Sequence, residues 1–301
     1  MSAVASVKTG YGKIQIMKGR PEIANVDQTV AALAKKAIPL PIPLNSVELA
    51  TAKKQICQLA QSDEDRTILE KVTAATLHIT FPTLISELQK CIALFNEQIG
   101  NEPYVAIAMN KRSNEWIAQL AIKYGIKPPS HIYYFQESKS NPAPSHKTVV
   151  LFDDCAFSGS TSEELIRWLI DPEEGKSVVR KIYLVIPFTS NAAKKMVLDY
   201  AEIAEIVLVT GNLSIPTAQE HLDEGQFKRF CQLFTPVKVS QPEKLMENSS
   251  HLAITDWRIA DSTSVPANFI KGEIHYEPAV KIEKPLADCY RFRPYRDYQE
   301  E

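Results

Sequence analysis

Two consecutive aspartates, Asp153 and Asp154, stand at the end of the apolar run Thr148-Val-Val-Leu-Phe152, and Ser158, Gly159, Ser160 and Thr161 follow within a few residues. An apolar strand ending in acids, then a short loop, then a helix start, is an arrangement suited to one chemistry. Backbone N–H groups at a helix N-terminus carry partial positive charge and have no intrahelical acceptor, so they bind a phosphate. The hydroxyls of Ser158, Ser160 and Thr161 add donors, and Gly159 lets the backbone approach closely. Carboxylates one loop away lie at about the reach of a ribose ring. As acceptors they suit two vicinal hydroxyls, or a Mg²⁺ held together with those hydroxyls. The stretch therefore reads as a cradle for a ribose 5-phosphate. The competing reading is a plain turn with a capped helix, which uses the same residue types; the full order of strand, two acids, loop and helix is what separates the two.

The elements that must position this loop are legible around it. Tyr104–Met109, His131–Phe135, Lys147–Phe152, Val178–Pro187 and Ile203–Val209 are short β-rich runs. Helical patterns at Asn114–Tyr124, Thr161–Ile170 and Ala192–Tyr200 alternate with them. Strands apolar on both faces and separated by helices predict a parallel sheet covered on both sides, with ligands at the carboxyl ends of the strands. Upstream, Ser46 caps a predicted helix to about Gln61, a second starts near Ser62 with Asp63, Glu64 and Asp65 in its first turn, and Pro82 opens a third that Gly100 ends. The run Ile38-Pro39-Leu40-Pro41-Ile42-Pro43-Leu44 cannot be helical and reads either as an extended cover over an apolar surface or as a polyproline linker. After Gly211 the pattern weakens: Phe227–Phe234 reads as the end of a helix, and residues 251–262 as a strand and turn. The segmentation expected is 1–100, an irregular start and a helical region; 101–215, the α/β core; and 216–301, a C-terminal cap.

Composition narrows the function classes. The 301 residues carry 34 Lys and Arg against 36 Asp and Glu, a formal net charge of -2, which argues against a general nucleic-acid or anionic-membrane surface. Only 10 glycines are present, and neither GxxxxGK[ST] nor GxGxxG occurs, which excludes a P-loop and a standard dinucleotide fingerprint. Five cysteines, at 57, 91, 155, 231 and 289, form no CxxC pair and support neither a zinc ribbon nor a disulfide scaffold. Cys155 has no identifiable histidine partner and reads as a small packing residue. No apolar segment is long enough for a membrane span and no secretion signal is visible, so a cytoplasmic setting is expected, with delivery by a non-cleaved signal as the alternative.

The stretch from Thr148 to Thr161 resembles the phosphoribosyl pyrophosphate (PRPP) signature of type I phosphoribosyltransferases: an apolar strand, two acids, three variable residues, then Ser/Thr-Gly-x-Thr. The resemblance spans roughly residues 103–210. It implies a phosphoribosyltransferase-like doubly wound parallel sheet, α/β in class, with a helical N-terminal extension and a C-terminal cap. It further implies that Asp153 and Asp154 hold the ribose hydroxyls as the catalytic pair, that Phe157, Ser158, Gly159, Ser160 and Thr161 wrap the 5′-phosphate, and that Lys111 and Arg112, after the strand Tyr104–Met109, meet the pyrophosphate. Mg²⁺ is implied as cofactor, contacted by Asp153 and Asp154 through the ribose hydroxyls, and the partner is a small ribose-phosphate ligand; a homodimer is compatible with the family. Gln136–His146 takes the place of the loop that closes over the site. The tail HLAITDWRIADSTSVP is similar to that of a divergent bacterial group found in inter-organism conflict.

One departure bears on the reaction. Purine-salvage members often carry, as the third variable residue, an acid that serves the base; Phe157 stands there and cannot move a proton. The expected activity is phosphoribosyl transfer with pyrophosphate release, a pentosyl glycosyltransferase of nucleotide metabolism. The alternatives are a non-catalytic PRPP- or nucleotide-binding module, and a ribose-phosphate-directed hydrolase or modifier. For Lys111 and Arg112 the plain reading is a solvated helix start; for Trp257, Arg258 and Asp261 it is packing and a surface ion pair.

Overall fold

The computed structural model describes residues 53–54, 57–58, 60–109, 113–135, 147–170, 179–201, 204–234 and 250–255. In chain order these form α1 (Asp63–Ala75), β1 (Leu77–Ile79), α2 (Phe81–Ile99), β2 (Val105–Met109), α3 (Ser113–Lys123), β3 (His131–Phe135), β4 (Thr148–Phe152), β5 (Cys155–Ala156), α4 (Ser160–Ile170), β6 (Lys181–Ile186), β7 (Phe188–Ser190), α5 (Asn191–Asp199), β8 (Glu205–Thr210), β9 (Ser214–Ile215), α6 (Ala218–His221), α7 (Glu224–Phe234) and β10 (Ala253–Thr255). They fall into two compact units, one built on Leu84–Ser214, the other on Leu40–Thr83 together with Ile215–Pro294.

The first unit is the α/β core. Its 5-stranded sheet runs in the order β3-β2-β4-β6-β8, and every pairing is parallel. β2 and β4 are buried along their whole length, as expected of strands covered by helices on both faces. Val105, Ile107, Val149, Leu151, Ile182 and Leu184 form one apolar cluster with Leu165, Ile166 and Leu169 of α4 and with Val197 of α5. The chain leaves β2 for β3 on one side and returns to β4 on the other. The order therefore reverses between β2 and β4, and doubly wound sheets bind ligands outside the carboxyl ends of the strands at such a reversal.

Beyond the sheet, β4 and β6 continue into a second, short parallel ladder. Cys155 pairs with Phe188 and Ala156 with Thr189, and the ladder runs in the order β5-β7-β9. Ser214 donates its hydroxyl to the Thr189 carbonyl at 3.0 Å. The sequence reading ended its strands at Phe152, Pro187 and Val209 and gave no strand over these two- and three-residue segments.

The second unit contains a strand pair far apart in sequence. β1 pairs in parallel with β10, Leu77 against Ala253 through Ile79 against Thr255, so the end of the helical region and the strand of the cap belong to one unit. Leu77–Ile79 was expected to be helical. The β-branched neighbours Thr76, Ile79 and Thr80 favour an extended chain, Thr76 already leaves α1 with ψ 116, and the strand finds its partner 176 positions on. Ser62 caps α1 by accepting from the Asp65 amide, and the Asp65 carboxylate takes two bonds from Arg229 of α7, at 2.7 and 3.0 Å. Asp65 is fully buried, and the Arg229 guanidinium holds its carboxyl below the usual carboxylate range. No helix among the described residues is long and apolar enough to cross a membrane.

Candidate functional site

Both aspartates lie where the sequence placed them, directly after β4 and beside the point where the sheet order reverses. The Asp153 amide makes the last rung to β6, donating to Val185 O at 3.3 Å. Each carboxylate then turns back on the chain: Asp153 Oδ1 accepts from the Asp154 amide and Asp154 Oδ1 from the Cys155 amide, both at 2.9 Å. These bonds fix the side chains as a pair of acceptors; the two residues are only 6 % and 1 % exposed. Two adjacent carboxylates at this burial are costly unless positive charge or donors meet them.

The loop that follows is held at both ends. β5 ties its start to β7. Its Phe157 carbonyl accepts from the hydroxyl of Ser190, and that same hydroxyl caps α5 by accepting from the Ala193 amide at 3.0 Å. One serine thus joins the loop to the helix beside it. Gly159 has φ 82, a left-handed conformation that side chains disfavour. A Cβ there would collide with the Met196 methyl and lie 3.2 Å from Ala193 Cα. The glycine is needed for its backbone angle and for the close approach of α5.

α4 begins immediately. Its first intrahelical bond runs from Glu163 N to Gly159 O at 2.9 Å, so the N–H groups of Thr161 and Ser162 precede any intrahelical acceptor. Ser158 Oγ donates to Ser160 Oγ at 3.1 Å and lies 3.4 Å from the Ser160 amide. Ser160 and Thr161 are exposed and Ser158 is half-buried, so these side chains lie at or near the surface beside a helix start, where an anion can be met. Phe157 is 8 % exposed; its ring packs, and its position carries no group able to move a proton. Behind the loop, Glu163 is held by Arg167 at 2.5 Å and by the Tyr200 hydroxyl at 2.8 Å, which fixes α4 against the segment that ends α5.

Lys111, Arg112, the Gln136–His146 loop, Trp257, Arg258, Asp261 and the segment 290–298, rich in arginine and aromatic residues, lie outside the described residues. Two residues that sequence reasoning passed over enter the site from elsewhere in the chain. Ser190 carried a readable signal, a serine just before a helix, but its bond to Phe157 crosses 33 positions. Asn114, the second residue of α3, donates from Nδ2 to the Phe152 carbonyl at 2.6 Å, joining the helix after β2 to the last residue of β4. Nothing in the sequence marked it.

As to Mg²⁺, among the described residues no group of three or more His, Cys, Asp or Glu side chains could hold a metal ion. The donor set present, two neighbouring carboxylates beside an anion site, suits the binding mode in which Mg²⁺ keeps waters and arrives with ligand phosphates.

No family model and no curated protein matches the chain. Solved structures similar to it include the AQ2163 protein from Aquifex aeolicus (12 % identity, 59 % of this chain and 89 % of that one, TM-score 0.32). The orotate phosphoribosyltransferase from Aeropyrum pernix is also similar (15 % identity, 42 % of this chain and 70 % of that one, TM-score 0.29). So is the Helicobacter pylori xanthine-guanine-hypoxanthine phosphoribosyltransferase (14 % identity, 46 % and 88 %, TM-score 0.28). At these values the likeness is partial, and what the site can do rests on its own geometry.

Proposed function

We propose that the crevice between β2 and β4 binds a 5-phosphoribosyl ligand of the PRPP type, and that the protein is a divergent phosphoribosyltransferase that transfers the phosphoribosyl group with release of pyrophosphate. One observation carries the reading. The strand-acid-acid-loop-helix stretch lies beside the point where the sheet order reverses, with two buried carboxylates before the loop and the residues Ser158, Ser160 and Thr161 at or near the surface where the helix starts. Asp153 and Asp154 orient the ribose through its vicinal hydroxyls. The loop Phe157–Thr161 holds the 5′-phosphate through backbone and hydroxyl donors, and Lys111 and Arg112 are assigned to the pyrophosphate. Mg²⁺ would be held by the ligand's hydroxyls and pyrophosphate with Asp153 and Asp154 behind them, and would supply positive charge to the leaving group. The rest of the chemistry is positioning and electrostatic stabilisation of an oxocarbenium-like state at C1′.

The buried ring of Phe157 supports a second reading, a PRPP- or nucleotide-binding module without turnover, because a base-serving acid is missing from that position. Calorimetric titration of PRPP with Mg²⁺ tests the first step for both. Micromolar binding to the wild type that disappears in Asp153→Asn/Asp154→Asn is expected, and a wild type that binds neither PRPP nor nucleotides would overturn both readings. Pyrophosphate release in the presence of a base then separates enzyme from module.

A further inference from the structure

We propose that Arg167 is a positioning residue for the phosphate: by pairing with Glu163 it keeps that carboxylate from opposing the ligand at the start of α4, so that the loop Phe157–Thr161 favours a dianionic phosphate monoester over a monoanionic ester. The proposal rests on the ribose-phosphate reading above and names the charge state that the loop selects. Glu163 lies in the first turn of α4, and its amide makes the first intrahelical bond, to Gly159 O at 2.9 Å. Helical side chains lean toward the N-terminus, and the helix dipole favours an acid there. For that same reason the acid competes with a ligand: its charge and that of a bound phosphate draw on one positive end.

Three contacts close a ring around the carboxylate. Arg167 Nη2 meets Glu163 Oε1 at 2.5 Å, the Tyr200 hydroxyl donates to the same oxygen at 2.8 Å, and Arg167 Nε donates to the Tyr200 oxygen at 2.7 Å. The side chains of Arg167 and Glu163 are 28 % and 31 % exposed, so water screens the pair less than it would on an open surface. Burial raises the Tyr200 pKa above the usual phenol value, so the hydroxyl keeps the proton that it gives to Glu163. Tyr200 follows α5 directly, so the carboxylate is held toward that segment while the guanidinium cancels its charge. A phosphate monoester carries nearly two negative charges at neutral pH, with a second pKa near 6, and a sulfate ester carries one. An unbalanced carboxylate in the first turn would penalise the dianion about twice as much in energy as the monoanion.

The test is a set of calorimetric titrations on the full chain at low salt and a pH of about 8, with ribose 5-phosphate and ribose 5-sulfate and one fixed concentration of Mg²⁺ throughout. The proteins are the wild type, Arg167→Met, Glu163→Gln and the double variant. Arg167→Met is expected to bind ribose 5-phosphate about fourfold more weakly and ribose 5-sulfate only about twofold more weakly. Glu163→Gln keeps an acceptor for Arg167 and Tyr200 and loses only the charge, so it should bind ribose 5-phosphate about fourfold more tightly than wild type. The double variant should return close to wild type. A purely structural tie would instead leave Glu163→Gln no tighter than wild type, and would weaken both esters alike in Arg167→Met and the double variant. Either result would overturn the proposal, while binding by the wild type would keep the ribose-phosphate reading. Should Arg167→Met fold poorly, Glu163→Gln decides alone, because the two accounts predict a gain and no gain. A wild type that binds neither ester would overturn the reading itself, and the proposal with it.

Discussion

Gly159 and Gly125 share a backbone conformation, with φ 82 and 88, and differ in surroundings. Around Gly125 nothing stands within 4 Å of a built Cβ; around Gly159 the Met196 methyl overlaps it and the Ala193 backbone is at 3.2 Å. The methionine can swing aside, but the helix backbone cannot. Gly125→Ala therefore carries only the strain of a left-handed alanine, about 1 kcal/mol, and leaves ligand affinity as it is. Gly159→Ala carries the strain and a displaced loop, about 2–3 kcal/mol, and should lower affinity for ribose 5-phosphate by at least about tenfold. Chemical denaturation of both variants, paired with titration, checks this; equal affinities would remove Gly159 from the site. Cys91 shows how far burial acts on one group in the same unit: desolvation, helped by nearby Glu87, pushes its thiol up to about 12. At neutral pH it should stay unmodified by thiol reagents until the unit opens, so its labelling rate, followed by peptide mapping, reports that opening.

At the scale of elements, the loop is positioned by its neighbours as much as by its own residues. Ser190 serves two partners, the Phe157 carbonyl and the Ala193 amide. Ser190→Ala should cost about 1–2 kcal/mol, the range for loss of a helix cap, and should weaken phosphate binding because the loop loses its tie to α5. Wild-type affinity in this variant would show that β5 alone fixes the loop. In the second unit, α1 and α7 meet through Asp65 and Arg229. The Asp65 pKa is lowered on folding, so the pair's contribution is fully present above the unfolded carboxyl value, about 3.9, and is lost as the pH falls through the lower folded value. Arg229→Met should therefore destabilise this unit by about 2–3 kcal/mol at pH 7, and the difference from wild type should shrink at strongly acid pH; a gap independent of pH would sink the electrostatic account. These ties also mark the limit of what the sequence reveals. The five core strands and the loop Asp153–Thr161 were legible because their signals are local: continuous apolar runs, acids at a strand end, a glycine before a helix. β1, Ser190 and Asn114 were not, because each is defined by a partner far along the chain. Leu77–Ile79 is a strand only because Ala253–Thr255 lies beside it, and Asn114 matters only because Phe152 ends β4 next to it.

For the molecule as a whole, balanced charge sets how the ligand is found. With 34 basic and 36 acidic residues, net charge adds no long-range attraction for an anion, so a ribose-phosphate ligand would be drawn by local groups: the helix N-terminus, its hydroxyls and the proposed Lys111 and Arg112. Binding should then depend only weakly on ionic strength, unlike the steep slope of a polycationic surface on nucleic acid. The bound state should instead show itself as stability. A ligand that binds only the folded core at about a hundred times its Kd adds about 2.7 kcal/mol, which for a core of this size raises the melting temperature by roughly 5–10 °C. PRPP with Mg²⁺ should produce this shift in wild-type protein at both low and moderate salt. Asp153→Asn/Asp154→Asn should melt without any shift on adding ligand. If the double variant still shows the full shift on adding ligand, the ribose assignment would have to move away from the end of β4.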